Sequence, residues 1–271
     1  MSEKLLAHAV EGKGEPLLLL NGGMMTYDSW GPVVERLSDR YTVVRCDLRG
    51  QLLSPGPVPT DLADNLTDLR VLLDHLGLDA VHVMGTSYGG EIGLLAAALM
   101  PERVRTLIAV TVFDYVTEAI CQGVEDLRLI AHAVREGGDK GLIHDRVVQE
   151  VYSDAYRSGH AEELAARRSQ IDLLPESWFE GVEGILSAVE TLDLRPHLAS
   201  IRCPTLVVIA ADDRSIPPAR SLALAAAIAE AEIETHETSG HALVAEDPEW
   251  LAGVALEFLV RDRGRRPERS A

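Results

Sequence analysis

Short, nearly continuous apolar runs alternate with longer helical patterns along most of the chain, and this alternation constrains the fold more than any other feature. Such runs are typical of strands in a parallel sheet, because helices cover both of its faces. Strand and helix in alternation predict βαβ crossovers and an α/β architecture with a mostly parallel, doubly wound sheet. We predict strands over residues 17–20, 42–46, 80–84, 106–112, 205–209 and 232–236.

One interval interrupts the alternation. Residues 114–196 separate two predicted strands that a single helix could connect, and their apolar residues recur at helical spacing. We therefore predict a core formed by residues 1–113 and 197–262, with 114–196 inserted as a helical cap. Such a cap would cover the carboxyl edge of the sheet, where open α/β sheets bind ligands. Its helices are predicted over residues 118–135, 144–157, 162–173 and 178–192.

The composition excludes several classes of partner. A formal net charge of −18 would repel polyanions, so nucleic acid binding is not expected. The Arg-rich tail over residues 263–271 is expected to be a disordered, solvated terminus. The beginning of the chain has no apolar leader, and no apolar run is long enough to span a bilayer, so we expect a cytoplasmic protein without membrane contact.

Three widely spaced cysteines, Cys46, Cys121 and Cys203, suit neither a disulfide framework nor a zinc site. We expect reduced side chains, no metal and no cofactor. A small-molecule substrate is the expected partner, and a homodimer is left open.

A serine lies between a predicted strand and a predicted helix. The sequence Gly85-Thr86-Ser87-Tyr88-Gly89 fits the G-x-S-x-G pattern directly after the run that ends at Met84. At a sharp strand-to-helix turn, glycines on either side of the serine avoid collisions, and the hydroxyl projects above the sheet. Ser87 is therefore the predicted nucleophile.

The nucleophile needs a base, because a free serine hydroxyl reacts poorly at neutral pH. His241 follows the last predicted strand and precedes a closing helical pattern, which places it at the same sheet edge as Ser87. His236, at the end of that strand, is the alternative.

An acid should orient the base. Asp213 lies in the loop after the predicted strand 205–209, four residues before Pro217. We favour it over its neighbour Asp212, which could cap the following helix, and over Asp114, at the end of the preceding strand.

The negative oxygen formed during attack needs two N–H donors. The backbone of Tyr88, the residue after the nucleophile, is predicted to supply one. The second is assigned to Gly23 in the turn after residues 17–20, with Met24 as the alternative. Large side chains near the site or in the cap are predicted to contact the substrate: Met24, Trp30, Tyr115, Trp178 and Phe179.

The chain resembles the α/β-hydrolase superfamily, in particular members similar to 3-oxoadipate enol-lactone hydrolases and related esterases. The motifs that carry the resemblance span most of the chain: residues 20–23 with Trp30, 47–50, 85–90, 100–104, 204–206 leading to Asp213, and 240–241 with Glu246 and Pro248. The resemblance implies the chain order serine, acid, histidine. Two positions depart from the family pattern: Asn21 replaces a frequent histidine, and Leu52 replaces a glycine.

These features predict a serine-dependent hydrolase that cleaves a carboxylic ester or lactone of a small neutral molecule through an acyl-serine intermediate. Two alternatives would use the same site: carbon–carbon bond hydrolysis and acyl transfer. A third alternative is a ligand-binding homologue without turnover, since the fold alone does not fix the reaction.

Overall fold

A computed structural model describes residues 5–265, with side chains described through residue 261. Within this range the core is a seven-stranded sheet in the order β1-β3-β2-β4-β5-β6-β7. Only β1 and β3 pair antiparallel; all other neighbours are parallel. The strands are β1 His8–Gly12, β2 Glu15–Leu20, β3 Tyr41–Cys46, β4 Val81–Thr86, β5 Val104–Val110, β6 Thr205–Ala210 and β7 Glu232–His236. The predicted fold class is confirmed.

The two faces of the sheet carry separate hydrophobic cores, because successive strand residues point to opposite sides. Leu18 and Leu20 pack on one face and Leu17 and Leu19 on the other, and all four are fully buried or nearly so. The helices outside the insertion are α1 Gly31–Leu37, α2 Asn65–His75 and α3 Tyr88–Leu99, with short 3₁₀ turns at Tyr27–Trp30 and Leu62–Asp64. Helix α1 packs with the last helix of the chain on one face, and α2 and α3 cover the other.

Five helices form the insertion between β5 and β6. They are α4 Glu118–Arg135, α5 Gly141–Val151, α6 Asp154–Gly159, α7 Ala161–Gln170 and α8 Glu176–Val189, with a 3₁₀ turn at Ile171–Leu173. The two ends of the insertion pair with each other through a bridge between Tyr115 and Asp193. The Leu194 N–H also donates to the Asp114 carbonyl over 2.7 Å. This pairing returns the chain to the sheet close to where it departed.

The predicted helix over residues 144–157 is wrong, because the structure divides it into α5 and α6. Ser153 lies at the break, where its hydroxyl oxygen accepts the Tyr156 N–H over 3.1 Å and begins α6. Ser153 also bonds to Glu246 near the end of the chain. A tertiary contact therefore supports a break that apolar periodicity does not reveal.

After the insertion come α9 Arg195–Leu198, α10 Pro218–Ala226, α11 Leu243–Glu246 and α12 Pro248–Arg265. Helix α12 runs three residues past the predicted end of the core at residue 262, so residues 263–265 of the predicted disordered tail are helical. The rest of that tail, 266–271, lies outside the described residues. No helix of the described chain is both long and apolar enough to cross a membrane.

Candidate active site

Ser87 lies at the turn between β4 and α3, in a backbone conformation that few side chains adopt. Its φ is +49° and its ψ is −125°, which is unfavourable for a residue other than glycine. The flanking glycines permit the close packing behind it. A Cβ at Gly85 would lie 2.4 Å from the Gly89 carbonyl oxygen, and one at Gly89 would lie 2.4 Å from the Leu20 carbonyl oxygen. The turn thus brings α3 directly against the ends of β4 and β2.

Asp213 and His241 lie on neighbouring loops that follow β6 and β7. The Nδ1 atom of His241 is 2.8 Å from Asp213 Oδ2. The other carboxylate oxygen, Oδ1, accepts the backbone N–H groups of Ser215 and Ile216 over 2.9 and 2.8 Å. The Asp213 side chain is 2% exposed. Three hydrogen bonds therefore fix this carboxylate, and it in turn fixes the imidazole.

The alternative acids and base have other partners. Asp212 is half-buried and forms a 3.7 Å ion pair with Arg214. Asp114 pairs with Arg220. His236 contacts Asp247 over 3.2 Å, outside the cavity that contains His241. Among these candidates, the structure brings only Asp213 and His241 together.

The electrostatic surroundings of His241 favour its protonated form. Burial of the imidazole lowers its pKa, but the Asp213 carboxylate raises it through charge and hydrogen bonding, and Glu91 and Glu150 add to that effect. The net result is a pKa above the ordinary histidine value. An imidazolium formed during a reaction would therefore be stabilised here.

The turn after β2 lies between the Ser87 elbow and helix α8. A Cβ at Gly23 would lie 3.9 Å from the Tyr88 Cβ and 3.1 Å from Ile185 Cγ2. Gly23, Met24 and Tyr88 all line the cavity that contains Ser87. Both predicted N–H donors thus belong to residues that line the same cavity as Ser87.

The side chain of Gln51 fixes this turn through two hydrogen bonds. Its Nε2 atom donates to the Gly22 carbonyl over 2.7 Å and to the Gly23 carbonyl over 3.4 Å. In a trans peptide the N–H points opposite to the carbonyl. Fixing these two carbonyls toward Gln51 therefore directs the N–H groups of Gly23 and Met24 away from it.

Asn21, which replaces the histidine frequent in the family, belongs to the same buried hydrogen-bond network as Gln51. The Asn21 Nδ2 atom donates to Asp47 Oδ1 over 3.1 Å and to Gln51 Oε1 over 3.0 Å, while Asn21 Oδ1 accepts from Trp30 Nε1 over 2.9 Å. Asn21, Asp47 and Trp30 have no exposed surface, and Gln51 is 2% exposed. An amide pair at positions 21 and 51 thus supports the turn.

A cavity of about 500 Å³ extends from Ser87 and His241 into the insertion. Its walls are mostly aliphatic side chains, to which α4, α5 and α8 each contribute. The two cavity arginines are engaged in ion pairs, Arg167 with Glu163 over 2.6 Å and Arg214 with Asp154 over 2.9 Å. The walls include Ile120, Val124, Leu127, Val147, Val182, Ile185, Leu186 and Val189.

Of the five side chains predicted to contact substrate, only Met24 lines this cavity. Trp30 is buried in the core beneath α1 and α12, where its N–H is used by Asn21. The Tyr115 ring lies between the guanidinium groups of Arg195 and Arg220, at 4.0 and 4.4 Å. Trp178 and Phe179 pack edge to face within the core of the insertion. Their rings stabilise the cap helices instead of facing the cavity.

Three residues at or near the site were given no role in it by the sequence analysis. Glu91 is buried in the cavity wall, and Gln51 supports the turn after β2. Glu246 accepts the N–H groups of Gly240 and Ser153 over 3.1 and 2.9 Å, which joins the His241 loop to the insertion. The sequence signal for Glu91 is a single carboxylate in the apolar helix α3. Within residues 5–265, no group of three or more His, Cys, Asp and Glu side chains could hold a metal ion.

Comparisons with known proteins identify the family of this chain. A family model described as alpha/beta hydrolase fold matches residues 15–248. A Caulobacter segnis protein named "Putative carbamate hydrolase RutD" is 29% identical over 252 residues, which cover 91% of this chain and 92% of that protein.

Two solved structures are also similar to this chain. A thermophilic esterase from Thermogutta terrifontis is 27% identical, with a TM-score of 0.82 over 95% of this chain and 93% of that one. An enol-lactonase from Burkholderia xenovorans LB400 has the same fold, at 24% identity and a TM-score of 0.81 over 94% of this chain and 96% of that one.

Proposed function

The chain belongs to the α/β-hydrolase fold family, and on that premise we propose that it is a serine hydrolase that cleaves the ester or lactone bond of a small neutral molecule. The observation that carries the proposal is the 2.8 Å hydrogen bond between Asp213 and His241, because His241 lines the same cavity as Ser87. A binding protein would need neither this pair nor a strained serine at its cavity wall.

In the proposed reaction, His241 takes the proton of Ser87 while the hydroxyl oxygen attacks the substrate carbonyl. The hydrogen bond from Nδ1 to Asp213 leaves Nε2 as the basic nitrogen. Asp213 then stabilises the imidazolium, and His241 returns the proton to the leaving oxygen. Water activated by His241 finally hydrolyses the acyl-Ser87 ester and restores the free enzyme.

The tetrahedral oxyanion would be bound by the backbone N–H groups of Tyr88 and Gly23. Tyr88 begins α3, so the positive end of the helix dipole adds to its N–H. Gln51 supports this role by holding the Gly22 carbonyl and with it the orientation of the Gly23 N–H. Removal of one such donor in other serine enzymes costs about 2.7–4 kcal/mol in the transition state.

The preference for neutral substrates follows from the charges of the molecule. A formal net charge of −18 disfavours the approach of anions. The arginines at the cavity are already paired with carboxylates, so they offer little free positive charge to an anionic group. The aliphatic walls favour an apolar acyl or alcohol group.

A second candidate reaction is carbamate cleavage, which the name of the Caulobacter segnis relative favours. The same residues would attack a carbamate carbonyl and form a carbamoyl-Ser87 intermediate. Such an intermediate hydrolyses more slowly than an acyl ester, because nitrogen donates electrons to the carbonyl. Carbamate and ester turnover are therefore distinguishable in the mass of the trapped enzyme.

The deciding experiment is intact-mass analysis after incubation with a fluorophosphonate, together with turnover of p-nitrophenyl acetate and butyrate. We expect one adduct on the wild type, none on Ser87→Ala, and strongly slowed labelling of His241→Ala. Ser200→Ala is the matched control, because Ser200 is exposed and bonds only to the His197 carbonyl. Turnover of a phenyl carbamate, measured in parallel, tests the second candidate reaction.

An adduct that persists in Ser87→Ala, or wild-type enzyme that neither labels nor turns over any of these substrates, would contradict the proposal. Carbamate turnover with an accumulated carbamoyl adduct and negligible ester turnover would replace the ester assignment with the carbamate one.

A further inference from the structure

Glu91 is a buried carboxyl group that the proposed mechanism does not use. It lies four residues after Ser87 on α3, and its N–H donates to the Ser87 carbonyl over 2.9 Å. Glu91 is among the residues that line the cavity, although it is only 1% exposed. Helix side chains point toward the N-terminus, so residues four apart lie on one face. The Glu91 carboxyl therefore lies on the face of α3 that begins with Ser87.

The carboxyl group is only partly bonded. The backbone N–H of Phe113, just after β5, is its hydrogen-bond partner within the protein. Its Oε1 atom has no partner among the described residues. Asp213, by contrast, uses both of its oxygens. Because an unpaired buried polar atom is costly, the free oxygen of Glu91 needs an explanation in binding or in chemistry.

The buried surroundings of Glu91 favour its protonated form. Burial raises its pKa to about 8, although the nearby His241 and the Phe113 N–H each lower it. The protonated carboxyl has an O–H donor in addition to its acceptor oxygen. The other walls of the cavity are mostly aliphatic. An O–H donor on Glu91 would therefore offer a substrate a polar partner at one defined position.

We propose that Glu91 is a substrate-binding residue that donates a hydrogen bond to an oxygen of the substrate. The preferred esters or lactones would then carry a hydroxyl, keto or ether oxygen near the reacting carbonyl, because Glu91 and Ser87 lie one helical turn apart. A site built to pair a polar group discriminates against the analogue that lacks it. This inference rests on the proposed serine hydrolase activity.

The test compares two esters with the same leaving group, ethyl butyrate and ethyl 3-hydroxybutyrate, in the wild type, Glu91→Leu and Glu91→Gln. The quantity measured is the ratio of kcat/KM values for the hydroxylated and plain esters. Differences in intrinsic reactivity cancel when this ratio is compared between variants. We expect Glu91→Leu to lower the ratio about tenfold, the worth of one hydrogen bond, and Glu91→Gln to restore most of it through its amide donor.

An unchanged ratio in Glu91→Leu overturns the assignment. If Glu91→Leu does not fold, wild-type inhibition decides instead. 3-Hydroxybutyramide should then inhibit p-nitrophenyl acetate hydrolysis at several-fold lower concentration than butyramide, and equal inhibition overturns the assignment.

The two proposals fail in different ways. Turnover of both esters through Ser87 with an unaltered ratio removes only the role of Glu91. Absence of fluorophosphonate labelling and of any turnover in the wild type removes both.

Discussion

The loops at the sheet edge and the helices of the insertion contribute to one cavity in different ways. At the sheet edge, the polar groups of Asp213 and Gln51 are fixed by several short hydrogen bonds each. The insertion contributes mostly aliphatic side chains to the cavity wall. From this difference we expect the sheet edge to determine the chemistry and the insertion to determine the shape of the substrate.

After substitution of Ser87 itself, Asp213→Asn is the strongest test of this difference between the sheet edge and the insertion. An amide in place of the carboxylate would favour the wrong imidazole tautomer and remove the charge that supports the imidazolium. We expect kcat to fall by about 10⁴, with KM little changed. Ester turnover and circular dichroism measure the effect, and Asp212→Asn is the matched control with an expected loss below twofold. Equal losses in the two variants would refute the assignment of the acid.

A smaller but still large effect is expected for Gln51→Leu. Leucine fills a similar volume but leaves the Gly22 carbonyl without its buried donor, so the turn can rotate and misplace the Gly23 N–H. We expect kcat to fall by roughly 10–100-fold, which is less than the loss of an oxyanion donor itself. Fluorophosphonate labelling rates should fall in parallel. The exposed Gln122→Leu serves as control, and a Gln51→Leu enzyme with normal kcat would show that the network has no catalytic role.

The insertion should respond differently. Leu127 lines the cavity from α4, so Leu127→Ala should shift the preference among p-nitrophenyl esters toward longer acyl chains by several-fold, with little change in the best kcat. Trp178 packs inside the insertion, so Trp178→Ala should cost about 3–5 kcal/mol of stability without shifting chain-length preference. Thermal melts and kcat/KM profiles separate the two outcomes. A shift in chain-length preference in Trp178→Ala but not in Leu127→Ala would contradict the assignment of Leu127 to the cavity wall.

The smallest expected effect is in the pH profile. His241 must be neutral to accept the Ser87 proton, so kcat/KM should rise as pH increases through the pKa of His241. Because Asp213 and the nearby carboxyl groups raise that pKa, the midpoint of the rise should lie above the ordinary histidine value. In Asp213→Asn the midpoint should move to lower pH. A midpoint that stays fixed in that variant would assign the titration to another group.

The same division explains what the sequence could predict. The serine turn, the six sheet strands and the positions of Asp213 and His241 follow from glycine sterics and from apolar runs, which act locally. The edge strand β1 was missed because three of its five residues are exposed and its run is not continuously apolar. The predicted superfamily is confirmed by the family match over residues 15–248.

The cavity walls could not be predicted in the same way. Which side of an amphipathic helix faces a ligand depends on how the helices of the insertion pack, and Trp178 and Phe179 are used in that packing. Gln51 and Glu91 acquire their roles from contacts with distant segments. Catalytic roles, the boundaries of the insertion, a cytoplasmic location and a homodimer stay predictions.

Glu246 joins the loop that carries His241 to the insertion. Its carboxylate binds the Gly240 backbone beside His241 and both the N–H and the hydroxyl of Ser153, at the turn between α5 and α6. The Ala242 N–H also donates to the Val151 carbonyl over 2.9 Å. Lifting that turn would break these bonds and release the loop that carries the histidine. The positions of the His241 loop and of the α5–α6 turn are therefore coupled, through the Glu246 carboxylate and the Ala242–Val151 hydrogen bond.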